Sequence, residues 1–325
     1  MKIKLKEIKE ESLRDVYGET LLELGRENKK IVVLDSDLSA STKTNLFARE
    51  FPERFFNMGV AEQDMIGTAA GLALGGMIPF VSSFAVFEAG RAWEQIRQSI
   101  CYPNLNVKLV ASHGGITVGE DGATHQSNED LALMRILPNM KVICPCDAVE
   151  TRKIIISIAE DYGPCYVRLS RPKFPVILDD DYSFEIGKSF ILMEGDDIAI
   201  FAIGITLFHS LIAAEELAKE GIHARVANLS SIKPIDEELI VESAKKTKAV
   251  LTVEEHSIFG GLGSAVAEVL SQNYPCFIKI MGIPDTFGIS GKPHELLDFY
   301  GISSPYIYRE AVNLLKKKKE KHGAY

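Results

Sequence analysis

The feature that most constrains this chain is an alternation, repeated in two blocks, of short apolar runs with longer stretches of helical period. Strands separated by helices cannot pair as hairpins. Each helix carries the chain back across the sheet, so the sheet is mainly parallel. The candidate strands of the first block are Ile31–Leu34, Met77–Val81, Val107–Ser112, Lys141–Cys144 and Cys165–Leu169, with helices at Leu13–Arg26, Glu62–Leu74 and Ala89–Ile100. The second block has strands at Ile198–Ile203, Ala224–Asn228, Ala249–Val253 and Phe277–Ile280, and helices at Thr206–Gly221 and Gly260–Ser271. Between them, Arg171–Gly187 carries Pro172, Pro175 and the acidic run Asp179–Asp181, and reads as a linker. The expectation is an α/β chain of two domains, 1–176 and the smaller 191–325, joined by 177–190. A length of 325 residues is too long for one ordinary core and suits two domains or one large α/β unit.

Charge removes one class of function. Thirty-six Lys and Arg against 45 Asp and Glu give a formal charge of −9, which disfavours a general nucleic-acid binder. A local anion pocket remains compatible with that balance. No apolar run approaches the roughly 20 residues that span a bilayer, and the charged amino terminus lacks the apolar core of a signal peptide. Five cysteines, an odd number, do not suggest a disulfide framework, and Cys144 and Cys146 are too close for a zinc knuckle. A cytoplasmic protein without membrane contact is the expectation. The run Lys316–Lys319 reads as a solvated helix end.

Three segments carry candidate chemistry. In Leu109–Gln126 a strand ends at Ser112, and glycines then surround His113, Glu120, Asp121 and His125. A flexible backbone presenting polar groups at the carboxyl end of a parallel strand is the arrangement of a crevice site; a polar surface loop and a metal site are the alternatives. In the second segment, Glu62 opens an Ala- and Gly-rich helix that must pack closely. It is either a partly buried acid with a raised pKa or an acid favoured by the helix dipole. In the third, Phe84 and Phe87 share one side of a helical turn, as core packing or as a platform for a flat heterocycle. Gly260–Ala265 lacks the glycine spacing of a dinucleotide loop and reads as a close-packed helix start.

Taken together, DSDLSAS (Asp35–Ser41), GVAEQDM (Gly59–Met65), SSFAVF (Ser82–Phe87), SHGGITVGEDGATHQ (Ser112–Gln126), RLSRP (Arg168–Pro172) and VEEHSIFGGLG (Val253–Gly263) resemble the carboxyl-terminal half of a transketolase over nearly the whole chain. The resemblance implies a thiamine-diphosphate-binding-fold pyrimidine domain followed by a transketolase C-terminal domain. It implies two-carbon ketol transfer from a ketose phosphate to an aldose phosphate, with the thiazolium as electron sink. By that similarity Glu62 hydrogen-bonds the pyrimidine ring nitrogen, Phe84 and Phe87 pack on the ring, and Asp37 lies near the cofactor. His113 and His125 serve the substrate, Asp121 reads a sugar hydroxyl, and Arg14, Ser41, His113 and Arg171 hold the sugar phosphate. Glu62, His113 and His125 are the implied catalytic set. Gly90 stands where the family often has a third aromatic residue.

Full-length members also carry a diphosphate domain, with Gly-Asp-Gly followed by an asparagine, that orders Mg²⁺. Here Gly195-Asp196-Asp197 lacks the second glycine and falls in the second domain. The resemblance therefore implies a separate amino-terminal subunit supplying the metal and diphosphate site, in a heterotetramer, with no metal ligands in this chain. Other thiamine enzymes, deoxyxylulose-phosphate synthase and the beta subunit of 2-oxo-acid dehydrogenases, share parts of the pattern. A non-catalytic scaffold is the reading from another class. His256 reads equally as structural or functional, and Val253–Gly263 as part of a subunit interface.

Overall fold

The first block of apolar runs assembles into a seven-stranded sheet in the computed structural model, which describes residues 9–322. In chain order the strands of the molecule are β1 (Glu10–Ser12), β2 (Ile31–Asp35), β3 (Phe55–Asn57), β4 (Ile78–Ser82), β5 (Lys108–Ala111), β6 (Lys141–Ile143), β7 (Cys165–Arg168), β8 (Lys173–Pro175), β9 (Phe190–Met193), β10 (Ile198–Ala202), β11 (Ala224–Asn228), β12 (Ser231–Lys233), β13 (Ala249–Ser257) and β14 (Phe277–Ile283). The first sheet runs β12-β6-β7-β5-β4-β2-β3, parallel throughout except for β12. The second runs β14-β13-β10-β11-β9, parallel except for β9. Strands such as β2 and β10 are buried along their whole length, which is why Ile31–Leu34 and Ile198–Ala202 appear in the sequence as unbroken apolar runs.

Three features position the functional edge of the first sheet. Ser12 caps the helix Leu13–Glu27 by accepting from the Asp15 amide. One turn on, Tyr17 bonds Ser82 at the end of β4 over 2.8 Å, which fixes Arg14 beside the strand ends. The helix Glu62–Leu74 buries Met65, Ile66 and Ala69, while Gly67 and Gly71 face outward.

Two regions differ from the sequence reading. Ala89–Ile100 is not one helix: Ala85–Arg91 and Trp93–Gln95 are separated at Ala92, and Ile96–Cys101 is a π-turn closed by the Tyr102 amide on Arg97. The apolar spacing hides this break, because Ala89, Ala92, Ile96 and Ile100 are buried straight through it. The proline-marked segment between the blocks is a packed strap. β8 pairs antiparallel with β1, Phe174 is buried, and the Ile177 and Leu178 amides each donate to Asp147 at 2.8 Å. Tyr182 donates to Glu150. The two domains also share a sheet and a core: β12 follows β11 of the second domain and pairs with β6 of the first, and one apolar cluster includes Val142, Tyr166, Ile203 and Leu229.

Candidate active site

All candidate site residues but Arg14 lie beyond the carboxyl ends of strands along one edge of the first sheet. Asp37 and Ser41 follow β2, Glu62 follows β3, and Phe84 and Phe87 follow β4. His113 to His125 follow β5, and Arg171 follows β7. Arg14 reaches the same edge from the first helix. Where parallel strands end together, their loops converge, so residues far apart in sequence become neighbours.

Glu62 opens its helix and is 3% exposed. Both features the sequence offers as alternatives, burial and a place at the helix start, are present, and the structure adds a cation that neither foresees. Arg91 Nη1 donates to both carboxylate oxygens, at 3.0 and 3.2 Å. The same guanidinium lies 4.3 Å from the centre of the Phe87 ring. Glu62 and Arg91 form part of the wall of an open cleft of about 540 Å³, with Val60, Ala61, Gln63 and Asp64.

Beyond Arg91 the aromatic groups form one cluster. Phe84, in extended backbone just before the helix Ala85–Arg91, stacks on His113 with ring centres 3.7 Å apart. It lies 5.8 Å from Phe87, which meets the edge of His125 at 5.3 Å. Ser112 Oγ lies 2.9 Å from His113 Nδ1, and Thr124 Oγ1 2.9 Å from His125 Nδ1, so each imidazole has its Nδ1 engaged. Burial, then the nearby Arg14 and Arg171 cations, lower the His113 pKa to about 3. It is a neutral imidazole near pH 7. Its positive φ of 60° turns the ring into the cluster.

The arginines meet on the other side of His113. Arg14 donates to the Ser41 carbonyl at 2.7 Å and to the Arg171 carbonyl at 3.0 Å, while its buried Nε has no partner among the described residues. Arg171 donates to the Val118 carbonyl and lies 3.3 Å from Glu120. The structure thus brings Arg14, Ser41 and Arg171 together, although it is the Ser41 carbonyl that is engaged. Asp121 is exposed on the loop carrying the two histidines, at the end of the short turn Ile116–Asp121. Asp37 stands apart, bonded to Asn57 at 2.9 Å.

Sequence reasoning missed two residues besides Arg91. Glu88 is fully buried beside Phe87, neither oxygen has a hydrogen bond of good geometry, and burial holds its carboxyl well above the usual range. Glu255 belongs to the second domain and reaches this loop. Only Arg91 left a local signal, at helical i+4 spacing from Phe87.

The remaining sequence candidates are structural here. His256 is fully buried, with Nδ1 2.8 Å from the Ser257 carbonyl and Nε2 accepting from the Ala132 amide. Both nitrogens are matched in the neutral form, and burial lowers its pKa to about 4. Gly260–Ala265 is a helix start whose Leu262 and Gly263 amides donate to Glu254. Within Val253–Gly263 the Gly260 carbonyl accepts from Arg135 of the first domain, while Phe259 is exposed. Among the described residues no group of three or more His, Cys, Asp or Glu could hold a metal ion. No helix among them is long and apolar enough to cross a membrane.

Comparison with known proteins gives two family matches, the transketolase pyrimidine-binding domain over residues 9–176 and the transketolase C-terminal domain over 187–307. A Methanocaldococcus jannaschii protein, provisionally named a transketolase C-terminal section, is 53% identical over 94% of this chain and 96% of its own. An apulose-4-phosphate transketolase subunit from Phocaeicola vulgatus is 41% identical over 94% of this chain and 97% of its own. The 6-deoxy-6-sulfo-D-fructose transketolase subunit of a Clostridium species is 42% identical over 96% and 97%. A solved structure described as a split gene transketolase, inactive beta4 tetramer, superposes with a TM-score of 0.86 at 53% identity, covering 94% of this chain and 98% of that one.

Proposed function

This chain belongs to the transketolase family, and we propose from that premise that it is the carboxyl-terminal subunit of a split, thiamine-diphosphate-dependent transketolase that moves a two-carbon ketol unit between sugar phosphates. The observation that carries the reading is the unbroken series along one sheet edge: Glu62 in its cleft, Arg91, Phe87, Phe84, the two histidines, then the paired arginines. Within it we take the domains as 1–176, the strap 177–190 and 191–325, and the setting as cytoplasmic.

The residues fit one half of the cofactor. A buried carboxylate beside an open cleft and two aromatic rings suits an aminopyrimidine, whereas the described residues offer no acidic cluster for Mg²⁺. When bound, thiamine diphosphate supplies the electron sink for breaking a carbon–carbon bond beside a carbonyl. Glu62 would hold a proton at a pyrimidine ring nitrogen, in a site dry enough to strengthen that bond. Arg91 moves off the carboxylate or shares it. Phe84 and Phe87 exclude water from the ring's flank. Neutral His113 and its neighbour His125, each with Nδ1 engaged, present Nε2 to sugar oxygens, and Asp121 reads a hydroxyl at the open end. Arg14 and Arg171 hold the phosphate, since guanidinium groups form bidentate, charge-assisted bonds to it. Asp37 is placed near the cofactor with no assigned step.

A separate amino-terminal subunit would bring Mg²⁺ and the diphosphate site, most simply in a heterotetramer of two pairs. The full length matched by the subunit-type relatives supports this, as does the open glycine face beside Glu62: a Cβ at Gly67 or Gly71 would meet nothing within 4 Å. The relatives' names leave the sugar open. The test is transfer from xylulose 5-phosphate to ribose 5-phosphate, and from other ketose phosphates, with thiamine diphosphate and Mg²⁺, by this chain alone and with its co-purifying partner. Activity in the mixture only is expected. Full activity from this chain by itself would overturn the split site, and pyruvate as the required donor would favour a synthase.

A further inference from the structure

The loop that carries His113, Asp121 and His125 is held in place from the second domain. Glu255, on β13, is 4% exposed, and its Oε1 accepts from the Thr117 amide at 2.5 Å. The fit allows no side chain beneath it: a Cβ at Gly115, whose φ is 78°, would lie 2.4 Å from the Glu255 carboxylate carbon. Arg168, buried, anchors the loop's base to the same strand, donating to the carbonyls of Ser127 and Glu255. At the loop's far end Gln126 donates to the Ile289 carbonyl at 2.9 Å. On its other side the Thr117–Val118 segment meets the arginine pair, through the bond from Arg171 to the Val118 carbonyl.

We propose that Glu255 is a positioning residue for sugar-phosphate binding, fixing Thr117–Val118 so that Arg171 and the two loop histidines share one geometry. It acts through the loop and touches neither substrate nor cofactor. The inference rests on the reading that this loop takes the sugar phosphate, and it assigns the second domain a part in that site. A glutamine at this position retains an oxygen to accept from Thr117; an alanine leaves that buried amide without a partner.

Two measurements test it on Glu255→Ala and Glu255→Gln. In the full chain, amide exchange at Thr117 is expected to rise about tenfold or more in E255A and to stay near wild type in E255Q. In the assembled enzyme, E255A is expected to raise the KM for sugar phosphate about tenfold, with a smaller fall in kcat and thiamine diphosphate affinity within about twofold of wild type; E255Q stays within about threefold throughout. Unchanged exchange at Thr117 in E255A would overturn the proposal. So would faster exchange with an unchanged KM, or equal losses of sugar-phosphate and cofactor affinity, which would mark a general structural defect. If the wild-type complex transfers no sugar phosphate while exchange responds as expected, the loop clamp stands and the functional reading falls.

Discussion

The two domains have nearly the same architecture, a mainly parallel sheet between helices, and they use the carboxyl edge of that sheet in opposite ways. In the second domain the polar groups at the end of β13 are turned inward and satisfied. Glu254 takes two helix amides, Glu255 the Thr117 amide, and His256 is bonded through both nitrogens. In the first domain the corresponding edge keeps capacity in reserve: Arg14 has an unpartnered Nε, Glu62 faces an open cleft, and Asp121 is exposed. Shared architecture does not carry shared function. Polar groups whose bonding is left for something else mark the working edge.

The sharpest way to break this contrast is to remove one buried carboxylate from each domain. Glu62→Ala should lower activity of the assembled enzyme by about a hundredfold or more, the scale of a lost acid–base group, with its melting temperature nearly unchanged. Unchanged activity would return the chain to a scaffold. Glu254→Ala should do the reverse. Losing the carboxylate that holds Leu262 and Gly263 should destabilise the chain by about 2–3 kcal/mol, measured by denaturant unfolding, with KM for the cofactor intact.

Glu254 and the buried histidines separate by pH. Burial raises the Glu254 pKa from the ordinary 4.5 to about 7, so the folded chain keeps a proton that the unfolded chain has released. Its contribution to stability is full below pH 4.5 and declines as pH rises to about 7. His256 and His113 have the opposite sign, because each titrates in the unfolded chain near 6.5 and in the fold only at about 4 and about 3. Stability from these two increases as pH rises toward 6.5. Glu254→Gln removes only the declining component. Between about pH 5 and pH 8 its melting temperature should therefore gain more than that of the wild type; parallel curves would mean that Glu254 is ionised throughout. In the assembled enzyme, the low His113 pKa predicts that His113→Asn reduces kcat/KM without changing the shape of its profile above about pH 5. A lost acidic limb in that variant would show that His113 titrates in the working range.

How far the sequence discloses this contrast depends on where each signal lies. Strands buried on both faces, such as β2 and β10, are legible because nothing polar interrupts them; β3, β9 and β12, short or at sheet margins, are not. The glycine-rich loop after β5 is legible because its polar residues stand close together. Arg91 and Glu255 escape because their partners are distant, 29 residues apart for Arg91 and Glu62 and 138 for Thr117 and Glu255. No local pattern reports a pairing created by the convergence of strand ends. Local composition does not separate Glu62 from Glu254, two acids close to Gly- and Ala-rich helices; the family resemblance singles out Glu62, and the structure shows what each carboxylate faces.

The smallest expected effect tests whether the open edge extends to the helix behind it. Both Glu62–Leu74 and Leu262–Asn273 contain glycines, but their surroundings differ: a Cβ at Gly263 would come within 2.4 Å of Ile280, whereas one at Gly71 would meet nothing within 4 Å. Gly71→Ala should then stabilise the isolated chain by about 0.5–1 kcal/mol through helix propensity alone. If a partner subunit packs closely on that face, the same methyl group should weaken assembly, seen as a higher chain concentration needed for half-maximal activity. Gly263→Ala should destabilise the isolated chain, because its methyl group meets packed atoms already. A Gly71→Ala chain that is more stable and assembles normally would show that the glycine face is open to solvent, and would confine the working edge to the residues around Glu62.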